Sequence, residues 1–191
     1  MCGRLSIDGL AIADRVSAQI GSRYSPQTNL DLRPTEQISA IVTDDTQFKV
    51  LTCAWGIKPL WSKTLLINAQ SESVREKKTF AKAFSDNRCL IPCSGWYEWR
   101  AEGGKKKQKY LFSEQNDAPL YMAGILYEFT DVFQVVTLTT KPTEQCAQYH
   151  SRMPLLIPPN DMDFWLRSSI NELEPLLMPP VTIPIKIQPC S

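Results

Sequence analysis

The 191-residue sequence has no run of about 18 apolar residues, so no membrane-spanning helix is expected. Its amino terminus lacks the basic and apolar regions of a secretory signal, which points to the cytosol. It also lacks a charge bias, since 21 Lys and Arg against 20 Asp and Glu leave a formal charge of +1. A role in binding nucleic acid would therefore require the basic residues to gather on one face. Internal repeats and long low-complexity linkers are missing as well. Histidine is nearly absent, with His150 as the one copy.

Six cysteines are present, and in a reducing compartment they are expected as thiols. Cys89-Leu-Ile-Pro-Cys93 and Cys146-Ala-Gln-Tyr-His150 resemble two halves of a zinc site. The segment Arg88 to Trp99 reads as strand, however, and four strand residues span about 13 Å. Ligands that far apart do not share one tetrahedral ion with bonds of about 2.0–2.3 Å. Cys53, Cys89 and Cys93 are therefore assigned to the core, and no metal or other cofactor is called for.

With 43% hydrophobic and 21% charged residues, the chain has the balance of one ordinary globular domain spanning residues 1–191. Leu10, Ile12, Val16 and Ile20 recur at near-helical spacing and predict a helix over 8–20. Residues 21–35 are turn-rich. Runs rich in Val, Ile, Phe, Tyr and Trp predict strands at 37–43, 48–56, 88–100, 109–113, 120–127 and 133–139. Gly103-Gly104-Lys105-Lys106-Lys107 reads as a hairpin tip whose lysines face solvent. Further helices are predicted at 77–85, 143–149 and 159–167, the last capped by Asn160 or Asp161. Pro175, Pro179, Pro180, Pro184 and Pro189 predict an extended tail without helix, wrapped on the surface. The expected fold is a single α+β domain on antiparallel, barrel-like strands with a few peripheral helices.

The chemistry begins at Cys2, in Met1-Cys2-Gly3-Arg4. A cysteine after the initiator allows the methionine to be trimmed, which leaves a thiol and a primary α-amine two carbons apart. The amine's reference pKa is roughly 7.7–8.0, so part of it is neutral near pH 7. Such a pair condenses with an aldehyde to an imine, and the thiol then closes a thiazolidine ring. Three other polar groups stand in apolar surroundings. Asn68 ends the run Leu65-Leu66-Ile67. Glu98 lies between aromatic rings in Gly95-Trp96-Tyr97-Glu98-Trp99, where desolvation should raise its pKa. His150 precedes Ser151-Arg152-Met153-Pro154. Imine chemistry uses such parts: a carboxylate near its working pKa, a histidine titrating near neutrality, and an amide that orients the nucleophile.

These segments, together with Trp55-Gly56, Pro59, Trp61, Ile67-Asn68-Ala69 and Arg88-Cys89-Leu90-Ile91-Pro92, resemble the SOS response-associated peptidase (SRAP) family. The resemblance runs in family order through residues 1–167. It implies a shield for abasic sites in single-stranded DNA, acting in the DNA damage response through lyase-type Schiff-base chemistry. Mature Cys2 would attack the ring-opened aldehyde and form a thiazolidine crosslink. Asn68 would position the amine or the deoxyribose, Glu98 would handle protons, and His150 would assist ring opening. Gly3, Arg4, Arg33, Pro34 and Gln70 would lie along the DNA. Trp61 and Trp99 would stack on or wedge beside bases, with core packing as the alternative for Trp61.

The implied partner is single-stranded DNA containing abasic sites, met by a cytoplasmic monomer that becomes nucleoid-associated when bound. Two positions depart from the family pattern. Gln70 stands where arginine is usual, and Asp31-Leu32-Arg33-Pro34 replaces Asn-x-Ala-Pro. Two other readings stay open: an N-terminal-nucleophile cysteine peptidase or autoprotease, and a non-covalent single-stranded DNA-binding module.

Overall fold

Alternating apolar strands close into a barrel in the computed structural model of the chain, which describes residues 3–44, 46–129, 132–177 and 183–190. The strands are β1 (Leu5–Ile7), β2 (Asn29–Leu32), β3 (Gln37–Thr43), β4 (Phe48–Trp55), β5 (Asn68–Gln70) and β6 (Arg88–Cys93), then β7 (Gly95–Arg100), β8 (Gln108–Glu114), β9 (Leu120–Phe129), β10 (Val132–Thr140), β11 (Met153–Pro154) and β12 (Ile185–Pro189). The helices are α1 (Gly9–Ile20), α2 (Lys78–Asp86), α3 (Glu144–Ala147), α4 (Met162–Arg167) and α5 (Glu174–Leu177).

Antiparallel pairing joins β4 to β3, β3 to β6, β6 to β9 and β9 to β10. Parallel pairing of β10 with β4 completes the ring. A ring leaves no free edge among its five strands. Strands β5 and β11 are added on β10. A second sheet runs β12-β8-β7-β1-β2, antiparallel throughout. The α+β, barrel-based expectation is met.

All six residues of β6 are buried, as suits a strand covered on both faces. Arg88 at its start is also buried and donates to the carbonyls of Phe84 (2.9 Å), Ser85 (3.0 Å), Trp165 (2.7 Å) and Ser168 (2.5 Å). One guanidinium thus satisfies orphan carbonyls at the ends of α2 and α4 and ties both helices to the barrel. Cys53, Cys89 and Cys93 lie in the core as predicted. Burial pushes the thiols of Cys53 and Cys93 up to about 12.

Several expectations need correction. Leu10 is 92% exposed; the buried stripe of α1 is Gly9, Ile12, Val16 and Ile20, and Leu10 lies about 200° from Ile12. The run predicted as one strand over 88–100 changes sheets at Ser94. There Ser94 N–H donates to the Ser6 carbonyl (2.9 Å), and Ser94 Oγ accepts from Asp8 N–H (2.8 Å). Gly95 passes so close to β8 that a Cβ would lie 2.2 Å from the Phe112 carbonyl. The turn-rich stretch 21–35 contains β2, drawn into pairing by buried Leu32 opposite Leu5.

Asp161 precedes α4 but makes no side-chain cap. Pro175 sits inside α5, in the first turn, where a missing N–H costs nothing. The rest of the described tail is extended and lies at the surface, as expected, where β12 is held as an edge strand by its pairing with β8.

Candidate functional site

Arg4, Leu5 and Ser6 are held against β7. Leu5 pairs with Trp96, and Tyr97 N–H donates to the Arg4 carbonyl at 3.0 Å. Continuing that register sets Gly3 across from Glu98. Met1 and Cys2, the proposed nucleophile, lie outside the described residues.

Strand alternation gives β7 two unlike faces. Trp96 and Glu98 point inward, and Trp96 stacks on Phe112 at 4.9 Å. Glu98 is 4% exposed, and its Oε1 has no hydrogen-bond partner among the described residues. Burial pushes its carboxyl up to about 7, against the opposing positive charge of the amino terminus. The expectation of a desolvated carboxyl is met. Burial raises the Cys146 thiol, and the charge of Glu98 adds to that rise.

His150 follows α3, its N–H donating to the Cys146 carbonyl at 3.2 Å. Its Nδ1 accepts from Arg152 N–H at 3.0 Å. The same Nδ1 lies 3.2 Å from the Arg152 carbonyl, so the backbone of Arg152 fixes the ring through this nitrogen and leaves Nε2 outside that contact. Burial first, then the amino-terminal charge, hold its pKa below the ordinary histidine value, and Lys107 acts in the same direction. Arg152 anchors the segment: its guanidinium meets both Glu72 oxygens (2.8 and 2.7 Å) and the Thr139 carbonyl (2.6 Å).

Asn68 opens β5, in parallel register with Thr137 of β10, whose Oγ1 lies 2.5 Å from Asn68 Oδ1. Two residues on, Thr139 pairs with Gln70 and meets Arg152. One stretch of β10 therefore sets both Asn68 and the His150 segment. The His150 segment meets the β7–β8 hairpin through Tyr149, whose ring lies 5.2 Å from Phe112, the stacking partner of Trp96, and Asn68 is joined to that segment through β10.

The outer face of β7 carries Tyr97 and Trp99, with Lys109 opposite Trp99 in the hairpin. Lys109 Nζ lies 3.9 Å from the Tyr97 ring centroid and 5.8 Å from that of Trp99. The Arg4 guanidinium lies 5.6 Å from the Trp99 ring. At their centre is Asp31, which accepts from Arg4 Nη1 through both oxygens (2.9 and 2.8 Å), from Arg33 Nη2 (3.0 Å) and from Lys109 Nζ (2.9 Å). The Lys109 ammonium, followed by Arg33 and Arg4, holds the Asp31 carboxyl well below the usual carboxylate range.

Pro34 is half-buried in the turn after β2, where the Glu36 carboxylate accepts from Arg33 N–H. Trp61 is 70% exposed beside exposed Leu60, which rules out its core-packing alternative. Gln70 is exposed on β5.

Sequence reasoning missed Lys109, Tyr97 and Asp31 as members of one cluster. A usable signal existed, because counting outward from Gly104 as the centre of the hairpin sets Lys109 opposite Trp99. Asp31 offered none, since its partner Lys109 is 78 residues away in the chain.

Comparisons with known proteins agree with this architecture. The family model described as SOS response associated peptidase (SRAP) matches residues 1–191. The abasic site processing protein YoaM of Bacillus subtilis is 26% identical over 196 residues, covering 94% of this chain and 86% of its own. The abasic site processing protein YedK of Escherichia coli is 26% identical over 185 residues, covering 91% and 83%. A crystal structure of a protein from Bordetella bronchiseptica covers 100% of both chains with a TM-score of 0.85 at 20% identity, a likeness of fold.

Proposed function

Because the chain belongs to the SOS response associated peptidase family, we propose that it processes abasic sites in single-stranded DNA by forming a covalent thiazolidine link through Cys2. The relatives named above as abasic site processing proteins support the substrate class. The observation that carries the chemistry is Glu98, a buried carboxyl with a pKa near 7 and an unpartnered oxygen among the described residues, in register with Gly3. One peptide bond separates Gly3 from Cys2, so consecutive Cα atoms lie about 3.8 Å apart.

The sequence of steps starts with removal of Met1, which frees the Cys2 amine. The closed hemiacetal of the deoxyribose opens when the C1′ hydroxyl gives its proton to the ionised Glu98 carboxylate and the imidazolium form of His150 gives one to the departing ring oxygen, which leaves C1′ as an aldehyde. The amine adds to C1′ to form a carbinolamine, which loses one water to become an imine. The Cys2 thiol adds to the imine carbon, its proton passes to the nitrogen, and the five-membered ring closes. Glu98 shuttles protons at the amine and the carbinolamine; a pKa near the working pH serves both giving and taking. Asn68, keyed to Thr137, orients the nucleophile or the sugar. Outside this centre, Arg4 and the rings of Trp99 and Trp61 meet the strand, each stacked base being worth about 1–3 kcal/mol without sequence preference.

Incubating the protein, verified by mass to begin at Cys2, with a single-stranded oligonucleotide carrying one abasic site tests the reading. A denaturing gel should show a shifted band whose intact mass is protein plus DNA minus one water. Cys2→Ala should give no such band. No adduct from protein with a verified Cys2 terminus would return the choice to the peptidase or the non-covalent module.

A further inference from the structure

Asp31 and its three cations form an anion site that is already filled by the protein itself. A phosphodiester, like a carboxylate, carries one negative charge over two oxygens. The groups converging on Asp31 are those that suit a phosphate: two guanidinium groups from Arg4 and Arg33, one ammonium from Lys109, and an aromatic floor of Tyr97 and Trp99. All four charged side chains are solvent-accessible, from 24% for Arg4 to 63% for Arg33. The cluster is therefore open to exchange its anion. It also adjoins the proposed centre, since Arg4 is two residues from Cys2.

We propose that Lys109 and Arg33 join Arg4 in a backbone-phosphate site for the DNA strand, and that Asp31 is an internal counter-anion which an incoming phosphate displaces. This rests on the single-strand reading above and adds its regulation. In the absence of DNA, Asp31 keeps three like charges together and lowers the cluster's charge from +3 to +2. A strand must compete with that carboxylate, so Asp31 weakens binding to undamaged single strands. One unit charge at about 6 Å in a water-like dielectric corresponds to about a threefold change in affinity.

The test is fluorescence anisotropy with an undamaged oligothymidylate of 20 nucleotides across a salt series. Asp31→Asn is expected to bind about threefold tighter than the wild type. Its log–log salt slope should steepen by about 0.7, the value of one more phosphate neutralised on a single strand. Lys109→Met supplies the opposite perturbation, with weaker binding and a slope shallower by a similar amount. Should Asp31→Asn fail to fold, the Lys109→Met slope alone decides, and an unchanged slope overturns the site. Equal or weaker binding by folded Asp31→Asn, with the wild type still bound, overturns the counter-anion role and leaves the strand-binding reading standing. No binding by wild type and variants alike, even at low salt, refutes both.

Discussion

Replacing Glu98 with glutamine should make the protein more stable at alkaline pH while slowing its proposed chemistry. Burial raises this carboxyl from the usual 4.5 to about 7. At about 1.4 kcal/mol per pKa unit, ionised Glu98 costs the folded state on the order of 3 kcal/mol. The folded pKa lies above the unfolded one, so the favourable contribution is complete below pH 4.5 and is lost as pH rises through 7. Of that loss, about 2.5 kcal/mol falls between pH 5 and pH 8. Glutamine is neutral throughout and keeps a similar shape.

Urea unfolding of both proteins at pH 5 and pH 8 isolates the effect, because His150 and the other titrating groups are common to both. The stability difference between variant and wild type should move by about 2.5 kcal/mol in the variant's favour from the lower to the higher pH. The same difference at both pH values would show that Glu98 is not desolvated and would remove the argument for its proton-handling role. Crosslinking by the variant at pH 7 should fall by about 10²-fold, within the range for loss of a general acid–base.

Trp61 is 70% exposed, so Trp61→Ala should change unfolding stability by no more than about 0.5 kcal/mol. It should nevertheless weaken binding to undamaged single strands by about 1–3 kcal/mol, the value of one stacked base; unchanged anisotropy titrations would refute that contact. Gln70 is exposed on β5, beside the strand that carries Thr139. Gln70→Arg should restore a phosphate contact and steepen the log–log salt slope by about 0.7. Identical slopes for variant and wild type would sink that idea.

The elements legible in the sequence are those whose pattern is set locally. The 37–43 strand appears with the predicted bounds as β3, because its apolar residues are dense and turn residues flank it. Helix α1 keeps its predicted end at Ile20, where Gly21 takes the left-handed conformation with φ of 66°. What the sequence concealed depends on contacts made elsewhere. The chain crosses between sheets at Ser94 because Ser6 and Asp8 supply partners from nearly 90 residues upstream. Strand β12 exists because β8 offers it a free edge, and no local proline count shows that.

The candidate site divides along the same line. Glu98 could be read as desolvated because its aromatic neighbours are adjacent in sequence and alternate along one strand. The electrostatics of the outer face could not be read in that way. Taken alone, Arg33 adds a positive charge to the DNA-facing turn, and Asp31 adds a negative charge two residues away. In the fold, the same aspartate also meets Arg4 and Lys109, so one carboxylate offsets a cluster drawn from three separate elements. The sign of its effect on a DNA strand follows from strand register, since β1 beside β2 delivers Arg4 and β7 beside β8 delivers Lys109. Net charge and motif spacing both omit that register, which is why a chain of formal charge +1 can still present a cationic, aromatic face.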